Sequence, residues 1–249
     1  MGVLMEERIY ELKENGNYIK WRTDAIDGNK NPCGTLINYI SKTSKTIVIP
    51  QGVTKIEPYC FSLVEKEGEF EYEPSLVDEI FIPQSVVEIE DGAFGCVDVK
   101  IKVDDKNKHF CVRSNVLLDK DNSRAIAYSD VKNCFRCIVP DGVRKICSEC
   151  FSGAFVDVEL PESVNEICQD AFSEHMGTLL IPQSEIKIHS KTFGDLKKKK
   201  KEIKQRQRRQ LALNFYAPLI GTTIKTPKNS TAHKFAKKNK IQCVLVSGK

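Results

Sequence analysis

Apolar and polar residues alternate along this chain in short runs that end at a proline, and the pattern returns five times. The runs are IVIPQGVTKIEPYCF from Ile47, IFIPQSVVEIEDGAF from Ile80, CIVPDGVRKICSECF from Cys137, VELPESVNEICQDAF from Val158 and LLIPQSEIKIHSKTF from Leu179. In each, a proline (Pro50, Pro83, Pro140, Pro161, Pro182) is followed six positions later by isoleucine and eleven positions later by phenylalanine. The last three prolines are 21 residues apart. That period suits one coil of a stacked solenoid and is too short for a unit that folds alone.

The physics of one coil follows from the alternation. Strand residues point to opposite faces in turn, so the residues three and one before each proline face the core together. These are Ile47 and Ile49, Ile80 and Ile82, Cys137 and Val139, Val158 and Leu160, and Leu179 and Ile181. Proline then stops the ladder, because it has no amide proton to donate. Glycine or serine two residues on permits a turn, and Val53, Ile56, Phe61 and their equivalents close the coil over the same core.

The motif I-x-I-P-x-[GS]-V-x-x-I-x-x-x-x-F resembles the BspA-like leucine-rich repeat, and the resemblance runs over roughly residues 34–246. VLLDKDNSRAIAY from Val116 is similar to the hairpin that such proteins insert between repeats, and NSTAHKFAKKNKIQCVL to their C-terminal closing element. The resemblance implies a repeat solenoid of the leucine-rich-repeat, horseshoe type: β-rich with short helical or 3-10 turns and one parallel sheet on one face. Three departures stand out. Glu185 replaces the expected valine, with Ile186 placed to compensate. One rung is degenerate, with Ile101 and Val103 inward and Asp104 where proline should be. Residues 64–78 are an acidic insertion expected to loop out.

Solenoid ends must be capped. Arg8 to Trp21 reads as a hairpin turning at Asn15-Gly16, followed by a strand over Leu36 to Ile40. Near the other end, Asn229 or Ser230 suits a helix N-cap, Ala232, Phe235 and Ala236 share a helical face, Asn239 suits a left-handed stop, and Cys243 to Val246 suits a closing strand. The expected regions are an N-terminal cap over 1–45, repeats over 46–194 with insertions at 64–78 and 104–135, a basic helical insertion over 195–210, and a C-terminal cap over 211–249.

Charge changes this picture in one place. The formal net charge is +4, but Lys197 to Arg209 holds nine lysines and arginines against Glu202. The basic patch comprises Lys197, Lys198, Lys199, Lys200, Lys201, Arg206, Arg208 and Arg209, with Lys204 among them. A solvated helix accounts for it, and a nucleic-acid arm is the competing reading. Against nucleic acid, no aromatic residue is interleaved for stacking and no nucleic-acid motif is present.

The candidate chemistry is sparse. Cys134-x-x-Cys137 followed by Cys147-x-x-Cys150 has the outline of a four-cysteine zinc site. Register reads it otherwise: Cys137 holds an inward strand position and Cys150 the small-residue position filled elsewhere by Cys60, Ala93, Ala171 and Thr192, so both serve as core thiols. Cys147, Cys168 and His189 form a column whose outer members stand about 10 Å apart at ordinary strand spacing, beyond the span of one tetrahedral ion. Neighbouring Cys147 and Cys168 could be oxidised to a disulfide, while a reducing cytoplasm would keep them as thiols. His109, His175, His189 and His233 are scattered, Asp78-Glu79 and Asp104-Asp105 read as solvated surface, and no glycine-rich phosphate loop follows a strand. No metal, cofactor, small-molecule substrate or catalysis is expected.

The residue two before each proline should face outward, and down the stack this column reads Val48, Phe81, Lys102, Ile138, Glu159 and Leu180. Four of the six are apolar, bordered by the polar Thr46, Glu79, Lys100, Arg136, Asp157 and Thr178. An apolar stripe with a polar border suits a protein partner, and non-catalytic protein binding across the strands is the expected function. A surface or secreted adhesin, a role known in the family, is the alternative. No run is long and apolar enough to span a membrane, and Met1 to Tyr10 lacks a secretory core. A cytoplasmic location is expected of this chain if it is complete, and a surface or secreted one if a leader has been removed.

Overall fold

The computed structural model describes residues 8–23, 33–66, 69–72, 76–129, 134–196, 198 and 221–247. They form two compact units, Met1–Asp121 with Ile126–Val131, and Asn122–Ala125 with Lys132–Lys249.

The first unit opens on the expected hairpin, β1 (Arg8–Glu14) and β2 (Asn17–Thr23). Asn15 and Gly16 both take positive φ, 49° and 75°, as the tightest hairpin turn demands. β2 pairs antiparallel with β3 (Gly34–Ser41), and Trp21 stacks on Tyr10 beneath this cap. The coils follow as β4 (Thr46–Val48), β5 (Val53–Ile56), β6 (Leu63–Lys66), β7 (Glu69–Tyr72), β8 (Glu79–Ile82), β9 (Glu88–Ile89) and β10 (Lys100–Val103). Parallel β4, β8 and β10 make one ladder. Parallel β3, β5 and β9 make a second. The first ladder carries the inward pairs before each proline, and the second carries Ile56 against Ile89. Each coil thus has two strand faces, one more than the sequence pattern implies. The isoleucine six residues after proline sits in extended backbone and not in a helical turn.

The acidic insertion is more ordered than expected, since β6 and β7 pair antiparallel from Leu63↔Tyr72 to Lys66↔Glu69. The degenerate rung is real: Ile101 is buried, Val103 is half-buried, and the Asp104 amide donates to Ile82 at 2.9 Å. After it, β11 (Phe110–Arg113) and β12 (Val116–Asp119) pair antiparallel beside β13 (Arg124–Tyr128).

The second unit repeats the two-ladder plan. Its proline-side ladder is β14 (Arg136–Ile138), β16 (Asp157–Glu159), β18 (Gly177–Leu180), β20 (Thr222–Pro227) and β21 (Cys243–Val246), all parallel. Its other ladder runs from the start of β13 through β15 (Lys145–Ile146) and β17 (Glu166–Ile167) to β19 (Lys187–Ile188). Phe151, Phe172 and Phe193 stack at 5.2 and 6.0 Å between centroids, and Phe235 of helix α1 (Thr231–Asn239) ends the row 6.2 Å beyond Phe193. Ser230 caps α1 by accepting from the His233 amide. The left-handed stop falls on Lys240, one residue later than Asn239, whose side-chain Nδ2 donates to the Phe235 carbonyl at 3.0 Å within the last turn. Ile186 is buried in place of the exposed Glu185.

A turn feature escapes the sequence pattern. Tyr59, Gly92, Glu149 and Asp170, each nine residues after its proline, all take positive φ. Gly92 and, less strongly, Asp170 are of types that accept this backbone, Tyr59 and Glu149 are not, and Lys191 at the same place in the fifth coil does not adopt it.

Candidate interaction surface

The outward position two residues before each proline is set by strand alternation, and register aligns it from rung to rung. In the first unit Val48 pairs with Phe81 and Phe81 with Lys102. Val48 is 58 % exposed, Phe81 half-buried and Lys102 exposed. In the second, Ile138 pairs with Glu159 and Glu159 with Leu180. Ile138 is 51 % exposed, while Glu159 and Leu180 are half-buried. The six positions therefore lie on two sheets, three on each, because β10 and β14 belong to different ladders. On the second sheet the column runs on through Lys225 and Val244, which the sequence motif does not mark.

Charge crosses the two triplets in the same way with opposite sign. Lys102 Nζ reaches Glu79 Oε2 at 2.8 Å, and Arg136 Nε donates to Glu159 Oε1 at 2.7 Å. Each pair joins the middle of one rung to the border of the rung before it. The Glu159 carboxylate holds the Arg136 guanidinium above its ordinary pKa.

The cysteines lie where register put them. All ten are thiols. Cys137, Cys147 and Cys150 are buried, whereas half-buried Cys134 has its Sγ directed to the Arg136 carbonyl at 3.2 Å. Burial, with Cys134 nearby, pushes the Cys137 thiol up to about 12, which leaves little nucleophilic thiolate. Among the described residues no group of three His, Cys, Asp or Glu side chains is arranged to hold a metal ion. Cys147 is buried, Cys168 half-buried and His189 exposed along their column.

The histidines stay apart: His109 and His189 are exposed, and His175 and His233 are buried on different elements. Asp78 pairs with Lys45 at 3.2 Å and Asp104 accepts from the Lys106 amide, so both are held in surface contacts. Of the basic run, Lys198 is exposed with its amide bonded to Asp195. Lys197, Lys199, Lys200, Lys201, Arg206, Arg208 and Arg209 lie outside the described residues. Among the described residues no helix is long and apolar enough to cross a membrane.

Other exposed apolar residues lie off this column. Phe135, Phe155, Leu76 and Met176 precede the strands, where period-two alternation gives no prediction.

A search of curated proteins found no match. Among solved structures, the chain is similar to a leucine-rich repeat protein from Eubacterium ventriosum ATCC 27560, at 22% identity and a TM-score of 0.49, over 64% of this chain and 41% of that one. It is also similar to a leucine rich cell surface protein from Faecalibacterium prausnitzii A2-165, at 19% identity and a TM-score of 0.46, over 82% of this chain and 60% of that one. The chain thus spans about two-fifths and three-fifths of the lengths of these structures. The pneumococcal vaccine antigen PcpA matches at 11% identity and a TM-score of 0.34, over 96% of this chain and 99% of that one. The family model described as the BspA type leucine rich repeat region matches in six copies over residues 38–102 and 124–231. With that model covering more than half of its residues, the chain belongs to the BspA-type leucine-rich-repeat family.

Proposed function

We propose that the chain is a non-catalytic interaction module that holds a partner protein against the outward face of its proline-side ladders. The observation that carries this reading is the exposure of Val48 and Ile138 at outward positions of register-aligned strands, where a merely solvated face needs no apolar residue. The bordering ion pairs supply orientation more than affinity, because exposed pairs contribute little on their own.

The test places a photo-crosslinking residue at Val48 or Ile138 in the intact chain and identifies what it captures. Val48→Glu with Phe81→Glu tests the first sheet, and Ile138→Glu with Leu180→Glu the second. The expected result is a specific protein captured by the parent chain and lost in at least one double variant whose circular dichroism is unchanged. A partner captured equally by both double variants overturns the reading. Loss of folding in both would mean that these positions belong to the core.

A further inference from the structure

β21 ends the proline-side ladder of the second unit, and β20 is its one strand neighbour among the described residues. Its backbone is therefore half used. In a parallel pair, alternate residues turn both N–H and C=O toward the neighbouring strand, and the residues between turn both away. Ile224 lies opposite Cys243, and its amide donates to the Gln242 carbonyl at 2.9 Å. On this register Val244 and Val246 face β20, while the N–H and C=O groups of Cys243 and Leu245 face the free edge.

The side chains at this end are also uncovered. Cys243 continues the inward column of Leu179 and Ile224, and Leu245 continues that of Thr226. Leu179, Ile224 and Thr226 are fully buried, whereas Cys243 is half-buried and Leu245 is 48 % exposed, because no further described rung stacks on them. Outward-facing Val244 is 43 % exposed. Helix α1 closes the phenylalanine row through Phe235 and leaves this edge open. An open strand edge is usually blunted by a charged residue or a proline within it, and Cys243–Val246 contains neither.

Charge around the edge has one sign. Residues 221–247 hold six lysines and no aspartate or glutamate. Lys228, Lys234, Lys237, Lys238 and Lys240 are exposed, and half-buried Lys225 lies opposite Val244. Lys187 and Arg136 of the same unit reach carboxylates on an adjoining rung, at 2.6 Å to Glu166 and 2.7 Å to Glu159. None of the six has an ion-pair partner among the described residues. The dipole of α1 accounts for Lys237 and Lys238 in its last turn, but not for the other four. Two copies of the chain joined edge to edge about a two-fold axis would bring the lysines against each other, so charge favours an acidic occupant. We propose that the β21 edge takes an extended acidic segment of a partner protein as one further parallel strand. Its backbone bonds the free groups of Cys243 and Leu245, apolar side chains at two alternate positions cover these residues, and carboxylates just before them meet Lys240 and the lysines of α1. The edge lies at the end of the ladder and not on its outward face, so either reading can fail without the other.

The probe is a fluorescein-labelled peptide, Gly-Asp-Glu-Asp-Ile-Thr-Ile-Ser, titrated against the full chain by anisotropy. Saturable binding that weakens with salt is expected. Replacing its acidic residues by lysine, or Lys237→Glu with Lys238→Glu and Lys240→Glu in the protein, should each weaken it about tenfold. Leu245→Pro removes an edge amide that β20 does not use, so it should leave circular dichroism unchanged and abolish binding. Should the proline disturb the fold, the lysine substitutions decide alone. At saturating peptide, amide exchange followed by NMR should slow about tenfold more at Leu245 and Cys243 than at Val244 and Val246, which are already bonded to β20. No binding up to millimolar concentration, equal affinity for the acidic and lysine peptides, or unchanged Leu245 exchange at saturation would each overturn the proposal. So would a dimer that Leu245→Pro converts to monomer, which assigns the edge to a second copy, or displacement of the peptide by a short oligothymidylate of higher affinity, which assigns the lysines to nucleic acid.

Discussion

His175 bridges three rungs of the second unit through its two ring nitrogens: Nε2 donates to the Val156 carbonyl at 2.8 Å, and Nδ1 lies 2.9 Å from the Thr222 hydroxyl. Val156 offers only an acceptor, so the neutral ring carries its proton on Nε2, and the Thr222 hydroxyl divides its single proton between Nδ1 and the His175 carbonyl. The Thr222 hydroxyl is also 2.8 Å from the His175 carbonyl, and Phe172 packs edge-on at 5.3 Å.

Burial lowers the His175 pKa from 6.5 to about 4, against the smaller opposing effects of the Val156 carbonyl and the Asp157 carboxylate. Because the folded state binds this proton less readily than the unfolded state, its neutral form supports the fold fully above about pH 6.5. That support is lost as pH falls toward 4 and amounts to about 3 kcal/mol at its limit. Urea titrations at several pH values should show a shallower acid loss for His175→Gln than for the parent chain. Identical pH profiles would mean that other groups dominate.

Asn107 stands where valine stands in the regular rungs, three residues after Asp104 as Val53 follows Pro50. It is buried, donates to the carbonyls of Pro83 and Val86 at 2.8 and 3.0 Å, and accepts from the amides of His109 and Phe110 at 2.8 and 2.9 Å. Restoring the motif with Asn107→Val should therefore destabilise by about 3 kcal/mol, because it leaves buried backbone groups without partners. A variant as stable as the parent in urea would show that the motif residue outweighs the hydrogen bonds.

Phe151 is fully buried, with its ring stacked on Phe172 at an interplanar angle of 5°. Phe151→Ala should cost about 3–5 kcal/mol through lost contact and a residual cavity. Since rungs depend on their neighbours, the thermal transition should broaden as well as move down. An unchanged melt would contradict the phenylalanine row.

Much of the candidate surface was legible in the motif. Proline marks where a strand stops, so counting back from it assigns inward and outward faces, and Val48, Phe81, Ile138 and Leu180 follow without coordinates. The same count shows why Cys137 sits inside. It cannot show that β10 and β14 belong to different ladders, since the degenerate rung still alternates correctly in Ile101 and Val103.

Local sequence determined what depends on neighbours along the chain: the five coils, the Asn15-Gly16 turn, a helix start at Asn229 or Ser230 and the alternation of each strand. Tertiary structure alone decided what depends on groups brought together from distant positions. Asn107 replaces valine because the carbonyls of Pro83 and Val86 meet it there. His175 is neutral because stacked rungs exclude water from it. Alternation is a property of one strand, whereas burial and register between rungs arise only when rungs stack.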